Sequence, residues 1–211
     1  PASPAICILA VKPQMMGEAL PAIAALGNAE TVFLSIAAGT PISTFAEILG
    51  AKTPIIRAMP NTPAAIGSGI TALIGNDLVD DSAMKMAEAL LRAVGQTVRL
   101  DDEDQMDAVT AVSGSGPAYV FHLIETLAAA GVAEGLPADL AMKLAKATVG
   151  GAGDLAERAV EDPTQLRINV TSPGGTTAAA LQVLMDPDRG FPALLREAVG
   201  AAAERSRALR G

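Results

Sequence analysis

The periodicity of this chain changes once, and that change limits what the chain can fold into. Over residues 1–100, short apolar runs alternate with helical stretches; beyond the acidic cluster Asp101-Asp102-Glu103-Asp104 there is no convincing strand. Ala5–Val11 (A-I-C-I-L-A-V) is apolar throughout, as suits a strand buried on both faces, and Lys12-Pro13 ends it. The pattern predicts a helix over 14–26 kinked at Pro21, a strand over 31–37, and a helix over 41–49 with Pro41 in its first turn. Strands over 54–58, 69–74 and 97–100, with a helix over 80–92, complete the alternation. Strands separated by helices imply βαβ units and a mostly parallel sheet. Helical runs follow at about 104–111, 117–133, 138–159, 163–169, 176–185 and 191–209. The expected architecture is an α/β domain over 1–101 followed by an all-α domain over 102–211.

Composition narrows the partners. A net charge of −8 argues against nucleic acid or an anionic membrane as a partner, while leaving room for a small anion held locally. No uninterrupted apolar run reaches membrane-spanning length, and no basic segment precedes the run at 6–11, so neither a span nor a secretory signal is expected. Cys7 is the single cysteine, which rules out an intrachain disulfide and fits a reducing, cytoplasmic setting. Alanine is abundant after Asp107. Ala-rich helices approach closely but bury little area each, so a partner subunit is expected to supply burial.

Chemistry is sparse. His122 is the only histidine and falls at helical spacing from Glu125, which reads as a surface or interface position. Without a second His or a Cys pair, no metal site is predicted. Cys7 lies in an apolar strand, so a Cys-His nucleophile is not expected. A chain this poor in acid–base groups points to a cofactor and to positioning. Ser172-Pro173-Gly174-Gly175 is turn chemistry leading through Thr176 and Thr177 into a helical run. Such an entry offers unpaired amides and hydroxyls to a carboxylate; a tight interhelical turn with a Thr cap is the other reading, and both stay open. Ligands of parallel sheets bind at the carboxyl ends of strands, which selects the loops at 11–13, 36–39 and 59–61. Small residues in the second would let a flat ring lie against the backbone. Lys12 is the only cation of the first, or a solvated surface lysine. Glu103 reads as a helix-end partner or as a carboxylate for a substrate N–H; Asn169 reads as a helix-end residue or a ligand contact. Ser113–Tyr119 (S-G-S-G-P-A-Y) lacks the third glycine and a preceding strand, so it reads as a Gly-rich helix opening and not a dinucleotide loop. Gly150-Gly151-Ala152-Gly153, inside a long helical run, reads as close packing or a kink.

Six stretches carry a resemblance from one end of the chain to the other: I-L-A-V-K-P-Q (8–14), S-I-A-A-G (35–39), R-A-M-P-N-T-P (57–63), A-V-S-G-S-G-P-A-Y-V-F (111–121), G-L-P (135–137) and V-T-S-P-G-G-T-T (170–177). Together they make the chain resemble pyrroline-5-carboxylate reductases. The resemblance implies a Rossmann domain, partial here over 1–101, and a helical dimerisation and substrate-binding domain over 102–211. It implies interlocking homodimers, in some families of this kind assembled into rings, with no nucleic-acid or membrane partner. The implied reaction is reduction of 1-pyrroline-5-carboxylate to L-proline, the last step of proline biosynthesis, with NADP as the cofactor or NAD in its place. Carried over by position, Ala10, Val11, Lys12, Pro13, Ile36, Ala37 and Ala38 line the cofactor, and Asn169 approaches it from the helical side. Ser172, Gly175, Thr176 and Thr177 hold the substrate, with Thr177 catalytic at the ring nitrogen and Glu103 close to the substrate. The family opens with a strand and a G-x-G-x-x-G turn that precede the A-V-K-P strand; this chain starts at that strand. A fragment of a longer enzyme, or a short form without half its nucleotide site, is therefore expected, with an open sheet edge. A non-catalytic dimerisation fragment that keeps substrate-analogue binding is the second reading. A hydroxy-acid dehydrogenase using Lys143 or Lys146 ranks below both, because neither lysine adjoins a substrate turn.

Overall fold

A computed structural model describes residues 4–28 and 30–209, apart from the Pro13 side chain. The chain divides into two compact units, residues 1–117 with 199–211 and residues 118–198.

The first unit is built on a five-stranded sheet in the order β1-β2-β3-β4-β5. Strand β1 (Ile6–Leu9) leads through helix α1 (Met16–Ile23) to β2 (Val32–Ser35), and α2 (Ile42–Leu49) leads on to β3 (Ile55–Met59). Both crossovers give parallel pairs, with Phe33 opposite Cys7 and Ile55. Residues 60–68 are too short for a crossover, so β4 (Gly69–Gly75) runs antiparallel to β3. Helix α3 (Asp81–Leu91) then returns the chain to β5 (Gly95–Arg99), parallel to β4. The expected mostly parallel sheet is therefore present with one antiparallel step.

Alternation along the strands places two cores on opposite faces. Leu9, Phe33 and Ile55 pack with Leu20, Phe45 and Leu49 of α1 and α2. Val32, Leu34, Ile56, Ala58 and Leu73 pack with Ala87 of α3. Strand β2 is buried at every position, which is why its sequence shows no polar alternation. Pro21 sits inside α1, and the helix gives way to a 3-10 turn at Ala24–Leu26. The side chain of Asp80 caps α3, accepting from the Ala83 amide at 2.7 Å. Arg99 of β5 clamps α3 through Glu88 at 2.7 Å and Asp81 at 3.0 Å.

Helix α4 (Gln105–Val109) runs into a π-helical turn, Thr110–Gly114, in which the Ser115 amide donates to the Thr110 carbonyl at 2.8 Å. Helix α5 (Gly116–Ala133) follows at once. The Gly-rich stretch expected to open a helix thus joins two helices through a widened turn. A Cβ on Gly114 would lie 2.6 Å from the Met59 methyl, the mobile end of a flexible side chain that would have to shift.

The second unit is helical: the rest of α5, then α6 (Ala138–Arg158), α7 (Pro163–Asn169) and α8 (Thr176–Leu184). Its buried cluster is Ala128, Ala141 and Ala145, with Ile124 and Met142 against it. Helix α6 runs unbroken through Gly150-Gly151-Ala152-Gly153, and a Cβ on any of these glycines would meet nothing within 4 Å. No close packing among the described residues explains them. The last helix, α9 (Phe191–Ala208), begins in the second unit and ends in the first. There Ser206 donates a buried hydrogen bond of 2.7 Å to Asp107. No helix among the described residues is long and apolar enough to cross a membrane.

Candidate active site

The functional residues expected from the sequence fall into two groups, one in each unit. In the first unit those expected to line a cofactor stand at the carboxyl ends of β1 and β2, and Glu103, expected near the substrate, falls in the same unit beside Arg57 and Ile42. Ala10 and Lys12 are exposed, and Val11 leans on the α1–α2 core. The Lys12 carbonyl accepts from the Met15 amide at 2.9 Å, which starts the turn into α1. The Pro13 side chain lies outside the described residues. The Ile36 amide donates to the Leu9 carbonyl at 3.1 Å, tying the second loop to the end of β1. Ala37 is buried with its amide on the Ser35 hydroxyl at 3.2 Å, while Ala38 is exposed. Gly39 has φ +78°, a conformation open to glycine and strained for other residues. From Ala37 to Gly39 the loop carries nothing larger than a methyl group; Ala37 is buried, Ala38 is exposed, and Gly39 lies against Leu209.

The third loop serves the framework. The Asn61 side chain accepts from the Ile70 amide at 3.0 Å and donates to the Ser113 hydroxyl at 3.4 Å. Arg57 of β3 is 2% exposed, and its guanidinium donates to Glu103 at 2.8 Å. The same Glu103 oxygen accepts from the Ile42 amide at 2.9 Å, the first residue of α2. Glu103 therefore already has two donors on one oxygen. An arginine inside the apolar run Ile55–Ala58 was the signal for this pair, since a charge in a strand buried on both faces requires a partner.

In the second unit the group surrounds the start of α8. Asp162 caps α7, its carboxylate accepting from the Gln165 amide at 2.9 Å. Asn169 ends that helix, exposed, with its amide oxygen accepting from Gln165 at 2.7 Å. The Thr171 hydroxyl donates to the Arg167 carbonyl at 2.6 Å, closing the helix end. Ser172–Gly175 is a tight turn: the Gly175 amide donates to the Ser172 carbonyl at 3.0 Å, and Gly174 has φ +70°. Pro at the second position and a positive φ at the third make it a type II turn. The N-cap of α8 is Gly175 with no side-chain cap, so neither threonine fills that role, contrary to the Thr-cap reading. The first intrahelical amide to donate back is Ala179, to Gly175 at 3.2 Å. The amides of Thr176, Thr177 and Ala178 precede it at the positive end of the helix dipole. Ser172 and Thr176 are exposed and Thr177 is half-buried. The structure thus brings Ser172, Gly175, Thr176 and Thr177 together around one turn, with Asn169 just before it.

The remaining titratable groups are framework or surface. Burial pushes the Cys7 thiol up. His122 is exposed and 3.2 Å from Glu125. No group of three potential metal ligands occurs among the described residues.

Comparison with known proteins agrees with both halves. Residues 103–209 match the family model for pyrroline-5-carboxylate reductase dimerisation. The pyrroline-5-carboxylate reductase of Pseudomonas aeruginosa is 43% identical over 201 residues, which span 95% of this chain and 73% of that protein. That of Synechocystis is 45% identical over 204 residues, 97% of this chain and 74% of that one. Among solved structures, a pyrroline-5-carboxylate reductase from Coxiella burnetii superposes with a TM-score of 0.93 at 36% identity, covering 98% of this chain and 76% of that one. Pyrroline carboxylate reductase from Plasmodium falciparum, solved with NADP bound, gives 0.85 at 33% identity over 98% of this chain and 78% of that one. A matched dimerisation segment, identity above 40% along nearly the whole chain, and a shared fold together show that this chain belongs to the pyrroline-5-carboxylate reductase family.

Proposed function

We propose that the chain reduces 1-pyrroline-5-carboxylate to L-proline with a nicotinamide cofactor, NADP rather than NAD, as the last step of proline biosynthesis. The observation that carries this reading is the start of α8: a Gly174-Gly175 turn with no side-chain cap, whose following amides precede the first intrahelical donor and are flanked by Ser172, Thr176 and Thr177. These amides and the Ser172 and Thr176 hydroxyls would receive the substrate carboxylate. Thr177, one residue deeper and half-buried, would place its hydroxyl at the ring nitrogen. A protonated C=N group is already an electrophile, so a hydroxyl that orients the nitrogen suffices and no histidine is needed.

The nicotinamide end of the cofactor would lie against the small-residue loop Ala37–Gly39, at its exposed residue Ala38. Ala10, Val11, Lys12, Pro13, Ile36, Ala37 and Ala38 would line it, and Asn169 would reach it from the helical half. When bound, the reduced nicotinamide supplies a hydride to the C=N carbon, and the nitrogen ends as the secondary amine of proline.

The working form is a homodimer. The second unit buries only small side chains, while Phe121, Leu127, Leu140, Leu144 and Leu155 stay exposed on α5 and α6. Three alanines bury too little area to stabilise a helical unit alone. Residues 102–211 would form the dimerisation segment and residues 1–101 the nucleotide-binding one.

The test is NADPH oxidation with pyrroline-5-carboxylate on the purified chain, alongside NADH. Turnover that prefers NADPH supports the reading. Absence of turnover with proline-analogue binding intact identifies a dimerising fragment that holds substrate without cofactor; loss of both removes the assignment of the α8 turn.

A further inference from the structure

Glu103 stands at the beginning of the matched dimerisation segment, yet its carboxylate acts on the sheet domain. One oxygen accepts from the buried guanidinium of Arg57 at 2.8 Å and from the Ile42 amide at 2.9 Å. Ile42 opens α2, and the residue before it, Pro41, has no side-chain acceptor with which to cap the helix. The cap is thus supplied from 61 residues away. A charged acceptor at a helix N-terminus is stronger than a neutral one, and the dipole favours its sign.

The segment this cap holds is Ile36–Pro41, the small-residue loop at the end of β2. Its upstream end is fixed by the Ile36 amide on the Leu9 carbonyl. Its middle, Gly39, faces the end of α9: a Cβ there would lie 3.4 Å from the Leu209 carbonyl oxygen and 3.5 Å from the Leu209 Cβ. Its downstream end is fixed by Glu103. Arg57 in turn fixes the carboxylate, because a 2%-exposed guanidinium holds its partner tightly. A substrate N–H competing for that oxygen would have to displace one of these donors. Displacing Arg57 would leave a buried charge uncompensated, at a cost a new partly exposed contact does not return.

We propose that Glu103 is a positioning residue for the cofactor loop, setting the backbone of Ile36–Pro41 by capping α2 while Arg57 anchors it, and is not a ligand of the substrate. The inference rests on the cofactor reading of that loop. Charge and reach separate in two variants. In E103D the charge facing Arg57 remains, but the shorter side chain falls short of the Ile42 amide. In E103Q an oxygen for Ile42 remains and the charge is lost.

The experiment measures three quantities on the full chain: hydrogen exchange of the Ile42 amide without cofactor, the Kd for NADPH, and the Kd for a proline analogue. E103D and E103A are expected to speed Ile42 exchange and to raise the NADPH Kd by about twofold to thirtyfold, the range that loss of a helix cap implies. Analogue affinity is expected to stay at the parental value, and E103Q to keep Ile42 protected. Should E103A fail to fold, the comparison of E103D with E103Q carries the result. The proposal is overturned if E103D leaves Ile42 exchange and NADPH affinity unchanged, or if the variants lose analogue binding while NADPH affinity holds. Failure of the cofactor reading would appear instead in the parent chain, as absence of NADPH binding, whereas failure of this inference appears only in the variant-to-parent comparison.

Discussion

In the proposed reaction Thr177 is the side chain on which the chemistry would depend most, as the half-buried hydroxyl at the head of α8. On that reading, replacing it with Ala would remove one hydrogen bond at the reacting nitrogen. T177A should lower kcat/KM by roughly tenfold to a hundredfold, with circular dichroism unchanged; equal kinetics would remove Thr177 from the mechanism. G174A asks a different question. Its φ of +70° is a conformation that costs an L-residue roughly 1–2 kcal/mol. That variant should lose proline-analogue affinity through the turn, read by calorimetry, while Thr177 stays in place. At this scale the turn was legible, since Pro-Gly-Gly leaves few backbone choices. The cap was not: Gly175 takes it, and the preference of helices for Thr and Ser caps pointed one residue too far along. Nor was the donor set of Glu103 legible, because its partners lie at Arg57 and Ile42 and only folding brings them together.

Elements were legible where period and breaker agreed. Pro163 gave α7 its start, and the runs at 5–11 and 31–37 gave β1 and β2, each strand shorter than its run. The π-helical turn at Thr110–Gly114 was not, since a widened turn has the same composition as the helices beside it. The antiparallel step at β4 could have been read from the short connection at 60–68, which leaves no room for a crossover. Between α3 and β5 the charges make a testable clamp. Hydrogen bonds from Arg99 hold the Glu88 carboxyl below its ordinary value, and those from Lys85 and Arg99 do so for Asp81. A depressed folded pKa stabilises above the unfolded pKa, and that contribution is lost as pH falls through the folded one. E88Q should therefore lower Tm at neutral pH, and the difference from the parent should shrink as pH drops through and below the usual carboxylate range. A Tm difference constant with pH would sink the clamp.

For the whole molecule, the second unit's exposed leucines and empty glycine face belong together. Leu140 and Leu144 stand one turn apart on α6, and the same helix carries Gly150, Gly151 and Gly153 with nothing within 4 Å. In an isolated chain G151A would stabilise the helix by up to about 1 kcal/mol. If a partner subunit packs on that face, G151A should instead weaken association, and L144K should shift the light-scattering mass from dimer to monomer with helicity retained. The change of period after residue 100 marked where the strands end, at β5; the compact units divide instead between 117 and 118, and neither that boundary nor the return of α9 to the first unit carries a local mark in the sequence. That return has a consequence for how the chain is made. Asp107 meets Ser206 across 99 residues, so the first unit is discontinuous in sequence. Residues up to Ser206 must be synthesised before this contact can close, and long-range closure of this kind slows folding. The sheet is thus translated before the contact that joins Ser206 to its unit can close.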